Sequence, residues 1–394
     1  MAFRKRNIAL TRSPTDSPAP ETPIPPSAAA AAAPVPQTPG VRPSPIDGRP
    51  TTSTGTPSLD AILAGHAGLP LGNSLLIGES GTTDYAGALL RFYAAEGVVQ
   101  EHKVHVVGTG EVWGRELPGI AVEKGERKKE EANERMKIAW RYEGLGAVGS
   151  TRERGSSASS RGDGEVNEDA AVFCHTFDLA RRLTLPVGTA INYIPIPHIA
   201  SSPFPEILRN LQKQIASSPP QSIHRLVIPS LLSPALYLPV SSQPQSVLQF
   251  FHALRALLRK YPTRLSAMIT LPLTLYPRSS GVVRWMEILS DGVFELSPFP
   301  YSHLESLATS AGMTKDEERP QGMFAVHKLP VFHERGGGGS TEGLGEDLAF
   351  TLSRRKFVVA KFSLPPLEGD REAQEEAVRE AGGSAMPRKE DLDF

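Results

Sequence analysis

The residues whose types and spacing come nearest to doing chemistry lie in the run Gly78-Glu-Ser-Gly81-Thr-Thr83-Asp84-Tyr85. An apolar stretch ends at Gly78, a loop of small polar residues follows, and a helical pattern opens after it. A strand, a loop and a helix in that order aim backbone N–H groups at one point, which is how a phosphate-binding loop holds a nucleotide. Laying the pattern G-x-x-x-x-G-K-[ST] on Gly78 puts Thr83 at the second glycine, Asp84 at the lysine and Tyr85 at the Mg²⁺-binding hydroxyl. The lysine would neutralise phosphate charge, whereas Asp84 adds negative charge to it. Tyr85 carries its hydroxyl on a long rigid ring that cannot take the place of a serine oxygen. The second half of such a site is an Asp that follows another apolar strand and holds the metal. After Leu226-Val-Ile228 stands Pro229 instead. Gly78, Gly81, Thr83, Asp84 and Tyr85 therefore read as a degenerate nucleotide loop, and an active NTPase is disfavoured. A strand-loop-helix unit that never bound nucleotide is the plain alternative.

Other candidates are thinner. His102 and His105 are three apart, which on a strand puts them on opposite faces, and no Cys or carboxylate pair completes a metal set. The run 78–82 fails the nucleophile pattern G-x-S-x-G because Thr82 replaces its last glycine. Ser80 is expected to cap the next helix. Cys174 is expected to be a small core residue in an apolar strand. Trp140 and Tyr142 around Arg141 could stack on a base, but one aromatic pair fits a core or a subunit joint better. No catalytic residue, metal or cofactor is expected.

These residues need elements to position them. Residues 74–78 and 102–107 read as strands, with a helix over 84–97 whose Leu89, Leu90 and Tyr93 share a face. The stretch 116–135 reads as a solvated charged helix, with Glu131 and Arg135 four apart, and an apolar run follows at 136–142. Further strands are expected at 171–175, 225–228, 267–271, 293–296, 323–329 and 357–362. Helices are expected near 205–216 and over 245–260, where Val247, Leu248, Phe251, Leu254 and Leu258 form a stripe at helical spacing. Strands separated by helices imply right-handed crossovers and a mostly parallel sheet, so the class is α/β. The last two strands, joined by a glycine-rich loop, are expected to form an antiparallel edge hairpin.

Composition bounds what surrounds this core. With 42 Lys+Arg against 43 Asp+Glu, the chain is neither a polybasic coat nor an acidic tail, and any nucleic-acid footprint must be local. One cysteine forms no internal disulfide, which suits a reducing compartment. No run reaches the ~18 apolar residues of a membrane span. The first 50 residues hold 12 prolines and the alanine run 28–33, too few large apolar groups to offset ordering entropy, so 1–50 is expected to be a disordered arm. Its basic start, Phe3-Arg-Lys-Arg6, precedes Pro14, Pro18 and Pro20, which argues against an amphipathic transit helix. Residues 150–169 and 333–347 read as loop insertions, and 367–394 as a charged tail, leaving 51–366 as one domain.

The pattern T-G-x-x-x-L-D-x-x-L-x-G at 54–65, followed by Leu69-Pro-Leu-Gly72 and an apolar strand, resembles the entry to RecA/KaiC-like ATPase domains. The degenerate loop is similar to that of the RecA-like subunits of the Elongator complex. Met136-Lys-Ile-Ala-Trp-Arg-Tyr142, Phe173-Cys-His-Thr-Phe-Asp178, the helix over 89–97 with its Ala-Glu-Gly ending, Arg354-Arg-Lys-Phe-Val-Val359 and Leu364-Pro-Pro366 resemble the PAXNEB family within that group. The resemblance covers 51–366 apart from the two insertions. It implies a RecA-like, KaiC-type fold and a non-catalytic role. Three related RecA-like subunits, two copies each, would form a hetero-hexameric ring joined to the catalytic Elongator subcomplex, which adds 5-carboxymethyl-type groups to tRNA wobble uridines. The ring would bind tRNA, and any nucleotide would lie between subunits. Cytoplasm and nucleus are the expected locations. In RecA-like domains two loops face the ring axis, by position residues 231–246 and 272–281 here. They make Arg278, and Arg284 on the next helix, the candidate tRNA contacts. A transcription-associated scaffold without RNA contact is the rival, since no RNA-binding motif is present.

Overall fold

A computed structural model describes residues 38–121, 172–185, 191–198, 201–300, 319–330 and 348–362. Trp140, Arg141 and Tyr142, most of the charged stretch 116–135, both insertions, the arm as far as 37 and the tail 367–394 lie outside the described residues.

The described chain begins with β1 (Val41–Pro43) and β2 (Pro50–Thr52), followed by α1 (Pro57–Ile62) and β3 (Leu69–Pro70). Then come β4 (Ser74–Glu79), α2 (Tyr85–Val99), β5 (Lys103–Val107), α3 (Glu111–Arg115) and β6 (Pro118–Ile120). After the insertion follow β7 (Phe177–Arg182), β8 (Asn192–Ile194), α4 (Phe204–Ser217) and β9 (His224–Ile228). The next elements are α5 (Pro244–Lys260), β10 (Leu265–Pro272), α6 (Gly281–Leu289) and β11 (Gly292–Pro298). The described chain finishes with β12 (Gly322–Lys328), β13 (Leu348–Leu352) and β14 (Phe357–Lys361).

The main sheet runs β14-β13-β12-β11-β4-β10-β9-β5-β8. From β11 to β8 every pairing is parallel, and from β11 to β14 every pairing is antiparallel. This is the expected α/β class, a mostly parallel sheet flanked by helices. Side chains alternate across the sheet, so the two faces make two cores. Leu75, Ile77, Val106 and Met268 pack with Leu89, Phe92 and Tyr93 of α2. Leu76, Ile228, Ala267 and Ile269 pack with Ile207, Phe251 and Met286 of α4, α5 and α6. Strands covered on both sides have no polar face, which is why they read as continuous apolar runs. Buried at nearly every position, α2 is apolar nearly all round for the same reason.

Three expectations need correction. Residues 41–43 belong to a small antiparallel sheet, not to a disordered arm, because they pair with Pro50–Thr52. Gly48 at φ 70° turns the chain there, and Ser44 bonds the His66 ring at 2.8 Å. The strand expected at 171–175 begins instead at Phe177, because the His175 N–H donates to the buried Glu96 carboxylate rather than to a ladder. The edge is not a hairpin of 323–329 with 357–362, since β13 lies between them and pairs with both. Residues 348–352 are too short and too close to a glycine-rich loop to stand out as a strand in sequence.

Candidate functional site

In an open α/β sheet a ligand meets the carboxyl ends of the parallel strands, and the degenerate loop sits there between β4 and α2. The last residue of β4, Glu79, folds back into the position where a phosphate would rest. Its Oε1 accepts the Thr83 hydroxyl at 2.6 Å and the Tyr85 N–H at 3.0 Å, and Oε2 accepts the Ala86 N–H at 2.8 Å. The free N–H groups that open a helix attract an anion; here the chain supplies its own. Burial pushes the Glu79 carboxyl up, the three hydrogen bonds oppose that, and Asp84 adds repulsion.

The remaining loop residues hold this closed arrangement. Gly81 takes φ 94° at the tip, and its N–H donates to Thr274 Oγ1 at 2.9 Å, which clips the loop to the turn after β10. Asp84 stands before the first turn of α2 without capping it and pairs with Arg91 at 2.9 Å. Tyr85 turns away from the loop, and its ring meets Phe350 of β13 edge-on at 4.9 Å. Gly78 lies in β4 where a Cβ would come 2.7 Å from Leu273 Cδ1. At the end of β9, Pro229 is followed by Ser230 at φ 43°, whose N–H goes to Thr270 Oγ1. A Mg-nucleotide does not fit these residues: the anion seat is filled, the lysine position is acidic, and the metal-holding position is a proline. Ser80 does not cap α2 as expected, because Glu79 has taken that role from the strand side.

The structure separates the other candidates. Arg278 is held by Glu287, with Nη2–Oε2 at 3.2 Å, and by Glu295 at 3.4 Å, while Glu295 also meets His327 at 2.8 Å. Its guanidinium is raised above the ordinary range by the Glu287 hydrogen bonds, so a phosphate would compete with two carboxylates for it. Arg284 lies exposed on α6 with no ion pair among the described residues. His102 and His105 do part company: His102 lies just before β5 and accepts from Arg225, whereas His105 stacks on His224. Cys174 is half-buried in an irregular segment rather than in a strand, and burial pushes its thiol up to about 12. No group of three His, Cys, Asp or Glu among the described residues could hold a metal.

Sequence reasoning missed a buried polar network behind the loop. Arg225 of β9 has no exposed surface. It donates to Ser53 O at 2.8 Å, Tyr93 O at 3.0 Å, Thr52 Oγ1 at 2.6 Å and His102 Nδ1 at 3.0 Å. Asp60 accepts from Ser53 Oγ at 2.6 Å and from the Thr54 N–H and hydroxyl at 2.8 and 2.7 Å, and burial raises it to about 6. Glu96 accepts from the His175 N–H at 2.9 Å and from Gln100 at 2.8 Å. Burial alone would raise Glu96, but His175, Gln100 and Arg225 together hold it below the usual carboxylate range. The T-G-x-x-x-L-D pattern was the available signal. Its Thr54 and Asp60 bond each other, and Gly55 at φ 76° lets the turn approach Phe92 O, 2.4 Å from where a Cβ would stand. The pattern seats its turn on α2, and Arg225 of β9 ties the preceding Thr52 and Ser53 to the large sheet.

Comparisons with known proteins agree with the resemblance. The PAXNEB protein family model matches residues 34–394. Elongator complex protein 4 of Schizosaccharomyces pombe is 34% identical over 90% of this chain and 95% of its own length. The Saccharomyces cerevisiae protein of that name is 30% identical over 83% of this chain and 76% of its own, and the Homo sapiens one 29% over 83% and 80%. Among solved structures, a KaiC-like protein from Pyrococcus horikoshii OT3 aligns with TM-score 0.37 at 15% identity, covering 79% of this chain and 98% of that one. The family match over nearly the whole chain, with two fungal relatives at 30% identity or more, settles the assignment: the chain belongs to the PAXNEB family.

Proposed function

We propose that this chain is a non-catalytic subunit of the Elongator complex. In this reading it joins two other RecA-like Elongator subunits, two copies each, in a hetero-hexameric ring. The ring binds tRNA and supports 5-carboxymethyl-type modification of wobble uridines by the separate catalytic subcomplex, in cytoplasm and nucleus. The observation that carries the non-catalytic part is Glu79, whose carboxylate takes the helix N–H groups that a nucleotide phosphate would need. The strand-loop-helix unit persists because it builds the core on which the rest of the sheet packs, whether or not phosphate binds.

The experiment is co-expression with the two RecA-like partners and mass by light scattering after size exclusion. A six-subunit particle that retains tRNA is the expected result. A stable monomer or homodimer would overturn the ring, and a ring that ignores tRNA would favour the scaffold reading. Titration of the isolated chain with Mg-ATP should give no micromolar binding. A micromolar dissociation constant would revive the NTPase.

A further inference from the structure

The two helical layers differ in charge, although the chain as a whole carries only −1. On one layer α4 exposes Arg209 and Lys213, α5 exposes Arg259 and Lys260 and half-buries Arg255, and α6 exposes Arg284. None of these six makes an ion pair among the described residues. No acidic side chain occurs in α5, α4 has Glu206, and Glu287 of α6 is occupied by Arg278. The opposite layer is balanced: Arg91 pairs with Asp84 and Glu116, Arg115 pairs with Glu111, and Asp60 and Glu96 are buried.

Two further features give the basic layer binding chemistry. Arg209 and Lys213, one turn apart, line a recess of about 310 Å³ beside the edge strand β8, together with Pro195, Pro197, Glu206 and Asn210. On α6, Trp285 is 50% exposed beside Arg284. An exposed indole is costly to leave in water, and its face can stack on a base or a cation. The three helices pack side by side on the same side of the sheet, α4 on α5 and α5 on α6.

We infer that the α4–α5–α6 face is a binding surface for single-stranded segments of RNA, with its cations on phosphates and Trp285 on an unpaired base. This rests on the reading of the chain as an RNA-handling ring subunit. Charge complementarity selects a polyanion, and the indole favours one in which every unit carries a stackable face, as each base of RNA does. The cationic footprint thus lies on the helices, not on the loop that carries Arg278.

The test measures binding of fluorescein-labelled oligouridine and tRNA across a salt series, using the full-length chain alone and in the assembled ring. Combining Arg209→Gln, Lys213→Gln, Arg255→Gln and Arg259→Gln should flatten the slope of log K against log salt by about 3, at ~0.7 per lost single-strand phosphate contact. Arg115→Gln, on the other layer, should leave the slope unchanged. Trp285→Phe should keep the affinity, and Trp285→Leu should weaken it about tenfold, within the range of one stacked base. Circular dichroism verifies that each variant is folded. A wild-type slope near zero, or an unchanged slope in the quadruple variant, overturns the surface. A ring that forms while the slope stays unchanged removes only this inference, whereas a ring that never forms removes the reading beneath it, and the isolated chain still decides the surface. Displacement by polyglutamate with no effect of Trp285→Leu would assign the face to an acidic protein and overturn the RNA proposal.

Discussion

Acid should unfold this protein through three buried imidazoles. His102, His105 and His224 have 4%, 2% and 0% of their surface exposed. His102 is held between Arg225 and the Pro39 carbonyl, with Nδ1 accepting and Nε2 donating. The other two form a directional chain: Asn192 donates to His105 Nδ1 at 2.9 Å, His105 Nε2 donates to His224 Nδ1 at 2.8 Å, and His224 Nε2 donates to Ser218 at 2.8 Å. That chain works only with both rings neutral. Burial lowers all three, to about 3 for His102, about 4 for His105 and about 3 for His224, helped by Arg225, by Lys103 and by His105 with Arg264 respectively. Above pH 6.5 the rings are neutral in both states and stability is unaffected by them. Below it the unfolded chain takes up protons that the fold excludes, so stability falls until the folded rings themselves titrate, at about 4 for His105 and about 3 for His102 and His224. At pH 5 each ring costs about 2 kcal/mol, about 6 in all, the His105–His224 pair titrating as a unit. Asp60 acts in the opposite sense, because its folded carboxyl, raised to about 6, binds a proton before the unfolded one does. It returns about 1 kcal/mol over the same range. A net loss of about 5 kcal/mol is comparable to the whole stability of many domains. Urea unfolding followed by circular dichroism at steps from pH 7.5 to 4.5 should give a slope near 3 kcal/mol per pH unit below pH 6, and His102→Gln should reduce it by about 1.4. A wild-type slope under about 1 kcal/mol per unit would refute the neutral-imidazole account.

Three other outcomes follow from the same geometry. Glu79→Ala should cost about 1–3 kcal/mol by orphaning the Tyr85 and Ala86 N–H groups, and sulfate should restore melting temperature in the variant more than in wild type; equal sulfate effects would mean the seat is not anionic. Arg225→Met should cost about 3–5 kcal/mol, since Glu96 and Asp60 lose their buried counter-charge; calorimetry showing less than about 1 kcal/mol would dismiss Arg225 as the centre of the network. Arg278→Gln should alter stability by no more than about 1 kcal/mol, because the pair is partly exposed, and should leave the salt slope of tRNA binding unmoved; a flatter slope would restore Arg278 as a phosphate contact.

The residues alone determined the α/β class, because strands buried on both faces are built mostly from apolar runs and the connecting helices must carry a stripe. They also determined that the nucleotide loop lacks its charges, since a lysine replaced by Asp84 and a metal-holding aspartate replaced by Pro229 are changes of chemistry, legible without coordinates. The tertiary structure decided what those changes leave behind. Whether Glu79 points to solvent or back onto α2 depends on how β4 and α2 meet, and no local pattern encodes that. The same holds for Arg225, whose partners at 52, 53, 93 and 102 come from distant segments. It holds for Arg278, which looks like a free loop cation until α6 and β11 bring Glu287 and Glu295 to it. Sequence spacing reports which groups a helix or strand can present; which charges meet, and so which are left unpaired on the surface, is settled only when the elements pack.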